Sequence, residues 1–199
     1  HQINTSRGFS FNSQSKLDMR MNKSSSLTAL EVLNEYDKEN LSRIFKNHAD
    51  FTNSPKLADK IINYRKKTYI QYSKDLLDLF SGSFFIPKKN QFFARIFQAI
   101  RIEVNDELNS LKDLLKTSLK VLNPQGRLVV ISYHSIEDRI VKNFIKYGHF
   151  EPFPKKDFFG NHFRPFNLIN KKPVLPNQVE KNTNNRSRSA KLRIAEIRI

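Results

Sequence analysis

The chain has 199 residues, 35 Lys and Arg against 19 Asp and Glu, and a formal net charge of +16. That length fits one domain or one and a half, and 38% hydrophobic residues with 17 Phe supply enough apolar mass to exclude disorder along the whole chain. The absence of Cys excludes disulfides, thiolate zinc sites and cysteine nucleophiles, and no apolar run approaches the ~20 residues of a membrane span, so a soluble cytoplasmic protein is expected.

Residues 1–26 are rich in Ser, Asn and Gln and read as a loop carrying Arg7-Gly8-Phe9-Ser10-Phe11 and Leu17-Asp18-Met19-Arg20-Met21, with Gly8 suited to a tight turn. The chain opens at His1, in loop-like sequence, and is expected to be a piece of something longer. Helical periodicity starts at Thr28: Leu30 and Leu33, then Leu41, Ile44 and Phe45, then Leu57, Ile61 and Ile62. Ser54-Pro55 reads as a helix start with Ser54 as N-cap and Pro55 at the first helical position. Leu76, Leu77, Leu79 and Phe80 form a further amphipathic set, so residues 27–81 read as a small all-helical unit.

Beyond Pro87 a basic, Phe-rich stretch leads into an apolar stripe at Phe97, Ile100, Val104, Leu108, Leu111, Leu115, Leu119 and Leu122, which predicts one long helix. Pro124-Gln125-Gly126 breaks it. Leu128-Val129-Val130-Ile131 then runs without alternation and predicts a parallel strand covered on both faces. After that strand, Ser135 with Asp138 predicts a capping-box-like start to a helix bearing Ile136, Ile140, Phe144 and Ile145. Residues 149–189 hold five of the eight prolines and read as a long loop. The chain closes on a β-type segment through Leu192, Ile194, Ile197 and Ile199, where a one-residue slip predicts a bulge or burial on both faces. Helix, strand and helix in that order make the fold class α/β.

A charge of +16 favours a polyanionic partner, nucleic acid first, because each Lys or Arg at a phosphate releases condensed counterions. The bland alternative is A+T-rich coding, which enriches Lys, Asn, Ile and Phe with no partner at all. Ligands in open α/β sheets sit beyond the carboxyl ends of strands, where the octet Ser132-Tyr133-His134-Ser135-Ile136-Glu137-Asp138-Arg139 falls. Its bland reading is a capped helix start with locally paired charges. Asp18 with Arg20 reads as a salt bridge shaping its loop. A metal-dependent hydrolase built on His134, Glu137 and Asp138 is disfavoured, since three ligands crowded into five residues lack a second His, and no metal is expected.

The two opening phrases, Phe97-Gln98-Ala99-Ile100-Arg101-Ile102-Glu103-Val104-Asn105-Asp106-Glu107-Leu108, the stretch from Gly126 to Arg139, and Arg186-Ser187-Arg188-Ser189-Ala190-Lys191-Leu192-Arg193 stand in an order that resembles the MraW (RsmH) family. Members are 16S ribosomal RNA (cytosine-N4) methyltransferases that use S-adenosyl-L-methionine. The resemblance implies a partial Rossmann-like methyltransferase sheet with an inserted all-helical subdomain. It divides the chain into residues 1–26 as a cofactor and substrate loop, 27–96 as a helical insertion for RNA recognition, and 97–199 as the C-terminal half of the methyltransferase domain. It also implies transfer to N4 of cytidine 1402, in the usual rRNA count, in the small ribosomal subunit, without membrane or metal, with a homodimer left open.

Family members begin with a Gly-rich loop, an acidic ribose ligand and an Asp-Leu-Gly-type loop, and the five glycines here, at 8, 82, 126, 148 and 160, are too scattered for the first. This chain alone is therefore expected to be inactive. The alternative is a non-catalytic RNA-binding module. Of the family's cofactor contacts only a Gln carries over, onto Gln2. Ser6 and Asn22 depart from acidic residues usual in the family.

The exocyclic N4 of cytosine is a poor nucleophile, and an acceptor for its amine hydrogens restores reactivity. Ser132, His134 and Glu137 are the catalytic candidates, with a base in the family's Asp-Leu-Gly-type loop at least as strong a contender. A cytidine leaving its stack needs aromatic faces, for which Phe9, Phe11, Tyr133, Phe158 and Phe163 are available, and phosphate contacts. Arg7, Lys155, Lys156, Arg164, Arg186 and Arg188 are the RNA-binding candidates, joined by Lys171 and Lys172. Residues 149–199 carry eleven Lys or Arg against four Asp or Glu.

Overall fold

A computed structural model describes residues 7–11, 14–81, 88–151, 158–160 and 164–198. Gln2, Lys155, Lys156 and Phe163 lie outside the described residues. The chain forms two compact units, residues 1–107 and 108–199. The expected boundary between residues 96 and 97 falls inside a helix, and the division comes at Glu107 instead.

The first unit is helical: α1 (Ala29–Glu35), α2 (Lys38–Ala49), α3 (Ser54–Arg65), α4 (Ser73–Ser81) and α5 (Lys89–Asn105). Thr28 starts α1 with a full capping box, its backbone N–H donating to Glu31 at 2.8 Å. Asp37 caps α2 by accepting from the Asn40 N–H at 2.7 Å. Ser54 turns out to be the first residue of α3 and not its cap; its hydroxyl pairs with that of Ser42 at 3.0 Å, while Asn53 holds the N-cap position. The core is aromatic. Phe80, Phe92 and Phe93 meet edge-to-face at 5.4–6.5 Å, and Phe51 joins Phe45 and Phe92. Edge-to-face pairing adds to the ~1.5–3 kcal/mol of burying each ring, which gives much of the chain's Phe content a structural use.

The apolar stripe from Phe97 to Leu122 is not one helix. Asp106 adopts φ 48°, closes α5 through its N–H to Glu103 and Ile102 carbonyls, and α6 (Glu107–Val121) starts directly after. Phe97, Ile100 and Val104 fill the first core, whereas Leu115 is buried in the second, with Leu108, Leu111, Leu119 and Leu122 packed beside it.

The second unit continues with β1 (Arg127–Ser132), α7 (Ser135–Tyr147), β2 (Phe166–Leu168), α8 (Gln178–Thr183), a 3₁₀ turn (Asn185–Ser189) and β3 (Lys191–Ile197). The long loop expected over 149–189 thus contains three short ordered elements. The sheet order is β1-β3-β2, and both pairings are antiparallel. The predicted parallel strand covered on both faces is corrected accordingly. Leu128 and Val130 turn inward, while Val129 and Ile131 are each 55% exposed, because α7 and α6 supply a core on one face of the sheet. Among the described residues, the edge of β1 away from β3 has no ladder partner. The register of β3 runs unbroken from Lys191 to Glu196 against β1, so no bulge forms. Arg193, Ala195 and Ile197 are buried and Leu192 and Ile194 half-buried, so the other expected outcome, cover on both faces, holds in part.

One acidic centre ties the first unit together. Glu103 on α5 meets Arg43 at 2.6 Å and His48 at 2.8 Å from α2, and accepts from the Tyr36 hydroxyl at 3.1 Å. Burial pushes its carboxyl up, but the hydrogen bonds from His48 and Arg43 outweigh it and hold the pKa down at about 2. The folded value lies below the unfolded one, so the stabilisation is fully present above the ordinary carboxylate range and is lost as pH falls toward about 2. Glu103→Gln is expected to cost about 2 kcal/mol at pH 7 in urea unfolding and to flatten the loss of stability between pH 5 and about 2.

Candidate functional site

The octet after β1 forms a tight turn into α7, and its first helical contacts involve His134 and Glu137. The expected cap pair shifts by one residue: His134, not Ser135, is the N-cap. Its Nδ1 accepts from the Glu137 N–H at 3.3 Å, and the Glu137 carboxylate accepts from the Tyr133 N–H at 2.8 Å and the His134 N–H at 3.3 Å. The His134 Nε2 is buried 3.2 Å from Glu137 Oε1, without a hydrogen bond among the described residues. Burial raises the Glu137 carboxyl, and the His134 ring with the two backbone donors brings it net below the ordinary range, so it is a carboxylate. Ser132 is buried, its hydroxyl 3.4 Å from the Lys191 carbonyl. Acceptor positions of His134 and Glu137 are thus engaged in building the turn, while the Ser132 hydroxyl donates across to β3. Tyr133 is the side chain the turn exposes, at 56%.

The next residue in the octet has a role that local reading misses. Asp138 turns inward and accepts from Arg193 Nε at 2.7 Å and Nη2 at 3.1 Å, with Lys191 Nζ at 3.4 Å. Both partners of the bidentate pair are less than 9% exposed. Burial opposes the charge on Asp138, but Arg193 and Lys191 hold its carboxyl below the ordinary range. This pair fixes the first turn of α7 to β3, joining the octet to the Arg-Ser-Arg-Ser-Ala-Lys-Leu-Arg phrase. An Arg at an inward strand position was the available sequence signal, since a buried guanidinium demands a carboxylate.

The basic candidates divide by environment. Arg186 and Arg188 are exposed on the 3₁₀ turn, on either side of buried Ser187, whose hydroxyl donates to the Asn184 carbonyl at 2.8 Å. Arg164, Lys171 and Lys172 are also exposed. Arg7 in the first unit is spent internally: it donates to the Arg20 carbonyl at 2.8 Å and lies over the Phe9 ring at 5.3 Å. The Asp18–Arg20 salt bridge forms as expected, at 2.7 and 2.9 Å, and Arg20 also donates to the Lys23 and Ser25 carbonyls. The hydrogen bond from Arg20 holds the Asp18 carboxyl low. Asn105 clamps the same loop to α5, accepting from Met21 N–H at 2.6 Å and donating to the Met19 carbonyl at 2.8 Å. Gly8 is required where it stands: its φ is +75°, and a Cβ there would meet the Lys16 carbonyl oxygen at 2.6 Å. Of the aromatic candidates, Phe11 packs on Phe93 and Phe97 and fills core, whereas Phe158 is 98% exposed.

The model of the MraW methylase family matches residues 1–198. The chain belongs to that family. Curated relatives named ribosomal RNA small subunit methyltransferase H are similar to it along its whole length: 48% identity with that of Christiangramia forsetii over 98% of this chain and 65% of the relative, and 48% with that of Amoebophilus asiaticus over 98% and 64%. The relative from Phocaeicola vulgatus is 47% identical over 100% of this chain and 65% of its own length. The chain thus spans about 65% of the length of these relatives. In this MraW-family chain, removal of one partner from the buried pair leaves an uncompensated charge. Arg193→Met is expected to cost about 3 kcal/mol, and Asp138→Leu combined with Arg193→Met clearly less than the two single losses together, both read from denaturation midpoints.

Proposed function

We propose that the complete protein of which this chain is part transfers a methyl group from S-adenosyl-L-methionine to small-subunit rRNA, at N4 of cytidine 1402, in the cytoplasm. The observation that carries this reading is identity of 46–48% to relatives named as small-subunit rRNA methyltransferases along 98–100% of this chain. The open β1 edge, with Val129 and Ile131 uncovered beside it, supports a sheet that continues in the remainder of the protein, as a Rossmann-like arrangement requires. The helical unit is read as the insertion that recognises RNA, and the basic second unit as the surface that meets phosphates through Arg164, Arg186 and Arg188.

The cofactor does not fit the described residues of this chain by themselves. A nucleoside-bearing cofactor needs a run of free backbone donors and an acidic ribose ligand. The described glycines serve other ends: Gly8 packs on its own loop, Gly126 on the Asn123 carbonyl, Gly148 closes α7 at φ 72°, and Gly160 stands in open space. Gln2 remains the cofactor contact proposed for this chain. Ser132, His134 and Glu137 remain the proposed acceptors for the amine hydrogens; Glu137 already holds two backbone donors and His134 Nδ1 one, so these two must release a bond of the turn to act, whereas the Ser132 hydroxyl donates to the Lys191 carbonyl.

The same observation favours a second reading, in which this polypeptide alone is an RNA-binding module without catalysis. Titration calorimetry of the 199-residue chain with S-adenosyl-L-methionine tests whether the chain holds the cofactor by itself: absence of one-site binding is expected, and stoichiometric binding would favour a self-sufficient enzyme over both readings. For the RNA surface, Arg186→Ala with Arg188→Ala is expected to reduce the slope of log affinity against log salt by up to about two units, and an unchanged slope removes both from the interface.

A further inference from the structure

The six arginines of the first unit are all directed to internal partners. Arg7, Arg20, Arg65 and Arg95 donate to backbone carbonyls, and Arg43 and Arg101 pair with Glu103 and Glu107. Contact with a polyanion on this unit therefore falls to lysines. Their density is highest at the turn from α3 to α4, where Lys66, Lys67 and Lys74 are all exposed within nine residues. Lys16 adds a fourth exposed cation, because its backbone bridges to that of Tyr72 and antiparallel partners project to the same side. Among the described residues none of these four lysines is in an ion pair.

Two tyrosines are interleaved with them. Tyr69 is 59% exposed and Tyr72 44%, on either side of Ile70, which is fully buried. The turn that presents them is held at several points. Asn34 brackets Ile70, accepting from its N–H at 3.1 Å and donating to its carbonyl at 2.9 Å. Asp75 accepts from the Gln71 and Tyr72 N–H groups at 2.9 and 2.8 Å, so its carboxylate is engaged in the turn. The segment beside it is tied on by Leu17 N–H to the Gln71 carbonyl and Ser73 N–H to the Ser15 carbonyl, both at 3.0 Å. Asp78, on α4, is exposed as well.

We propose that this turn, with Lys16 beside it, is a docking surface for an unpaired stretch of RNA, whose phosphates meet Lys16, Lys66, Lys67 and Lys74 while bases stack on Tyr69 and Tyr72. Lysine recognises phosphate as a point charge and asks for no fixed geometry, which suits a flexible single strand. Ring faces in solvent accept any base that is not already stacked in a duplex, so duplex RNA satisfies the lysines but not the tyrosines. A turn already fixed by backbone bonds loses little entropy on binding. The proposal rests on the reading that this protein acts on rRNA, and it places the contact at a named surface of the helical unit.

The chain has no Trp, so Tyr69→Trp creates a unique fluorophore at the surface. Its emission is expected to be quenched by a single-stranded oligoribonucleotide of about 12 nucleotides and to change little with the duplex of the same sequence. By fluorescence anisotropy with the same strand, labelled, Lys66→Ala with Lys67→Ala is expected to reduce the salt slope by about 1.4 units, at about 0.7 per single-strand phosphate contact. Tyr69→Ala is expected to weaken binding at least about fivefold, with the far-ultraviolet circular dichroism unchanged. If the unaltered chain binds the strand and these variants bind it with the same slope and affinity, the surface falls and the rRNA reading stands. If the unaltered chain has no affinity for any RNA, both fall. Equal quenching by the duplex, or by polyglutamate, overturns the assignment to unpaired RNA.

Discussion

The second unit depends on one buried charge pair. Asp138 and Arg193 are 55 positions apart in the chain, yet their side chains meet in two hydrogen bonds under 3.2 Å and are almost removed from water. Neither group tolerates that burial alone, so helix and strand must approach in one register. The cap formed by His134 and Glu137 lies directly before this anchor, and the exposed ring of Tyr133 just before the cap. The presentation of the turn after β1 is thus set by an interaction that lies inside the protein and not in the turn itself.

Much of the helical half could be read in advance, because its apolar positions recur at helical spacing and its ends carry Thr, Asp and Ser-Pro signals. The family resemblance was equally open to view, since its phrases are local and ordered. What escaped was governed by contacts distant in sequence or by single backbone angles. Nothing in the repeat from Phe97 to Leu122 marks the break at Asp106, where a positive φ occurs without glycine or proline. Ser135 has the better intrinsic cap propensity and its own carboxylate three residues on, but Asp138 is taken up by Arg193, and Glu137 closes the box on His134 instead. Along β3 the apolar spacing leaves open a bulge or two covered faces; the buried face is the one that carries Ala195 and Ile197 together with Arg193, whose partner Asp138 is distant in sequence. The direction of β1's neighbour was hidden for the same reason, since its partner is the far end of the chain. At the candidate site the sequence identified which groups are adjacent, but hydrogen-bond commitments appear only once the turn is built.

Arginine and lysine play opposite parts in the first unit. Guanidinium groups tolerate partial burial and bind carbonyls and carboxylates with directed forks, and here they bind α1, α2 and α5 and the 18–25 loop to their surroundings. Ammonium groups are strongly hydrated, and apart from Lys60, whose Nζ is buried, most stay outside. A single figure for net charge therefore conceals two populations, one that holds the fold and one available to a partner.

The unpaired side of β1 has a practical meaning for handling this polypeptide. Among the described residues, the amides and carbonyls on this side have no ladder partner, and with Val129 and Ile131 beside them they form a template on which a second copy can add its own strand. Mutual repulsion between molecules of charge +16 opposes that addition in dilute buffer. Salt shortens the reach of the repulsion to a few ångströms and leaves the apolar border untouched, so concentrated salt is the condition that drives such copies to stick together.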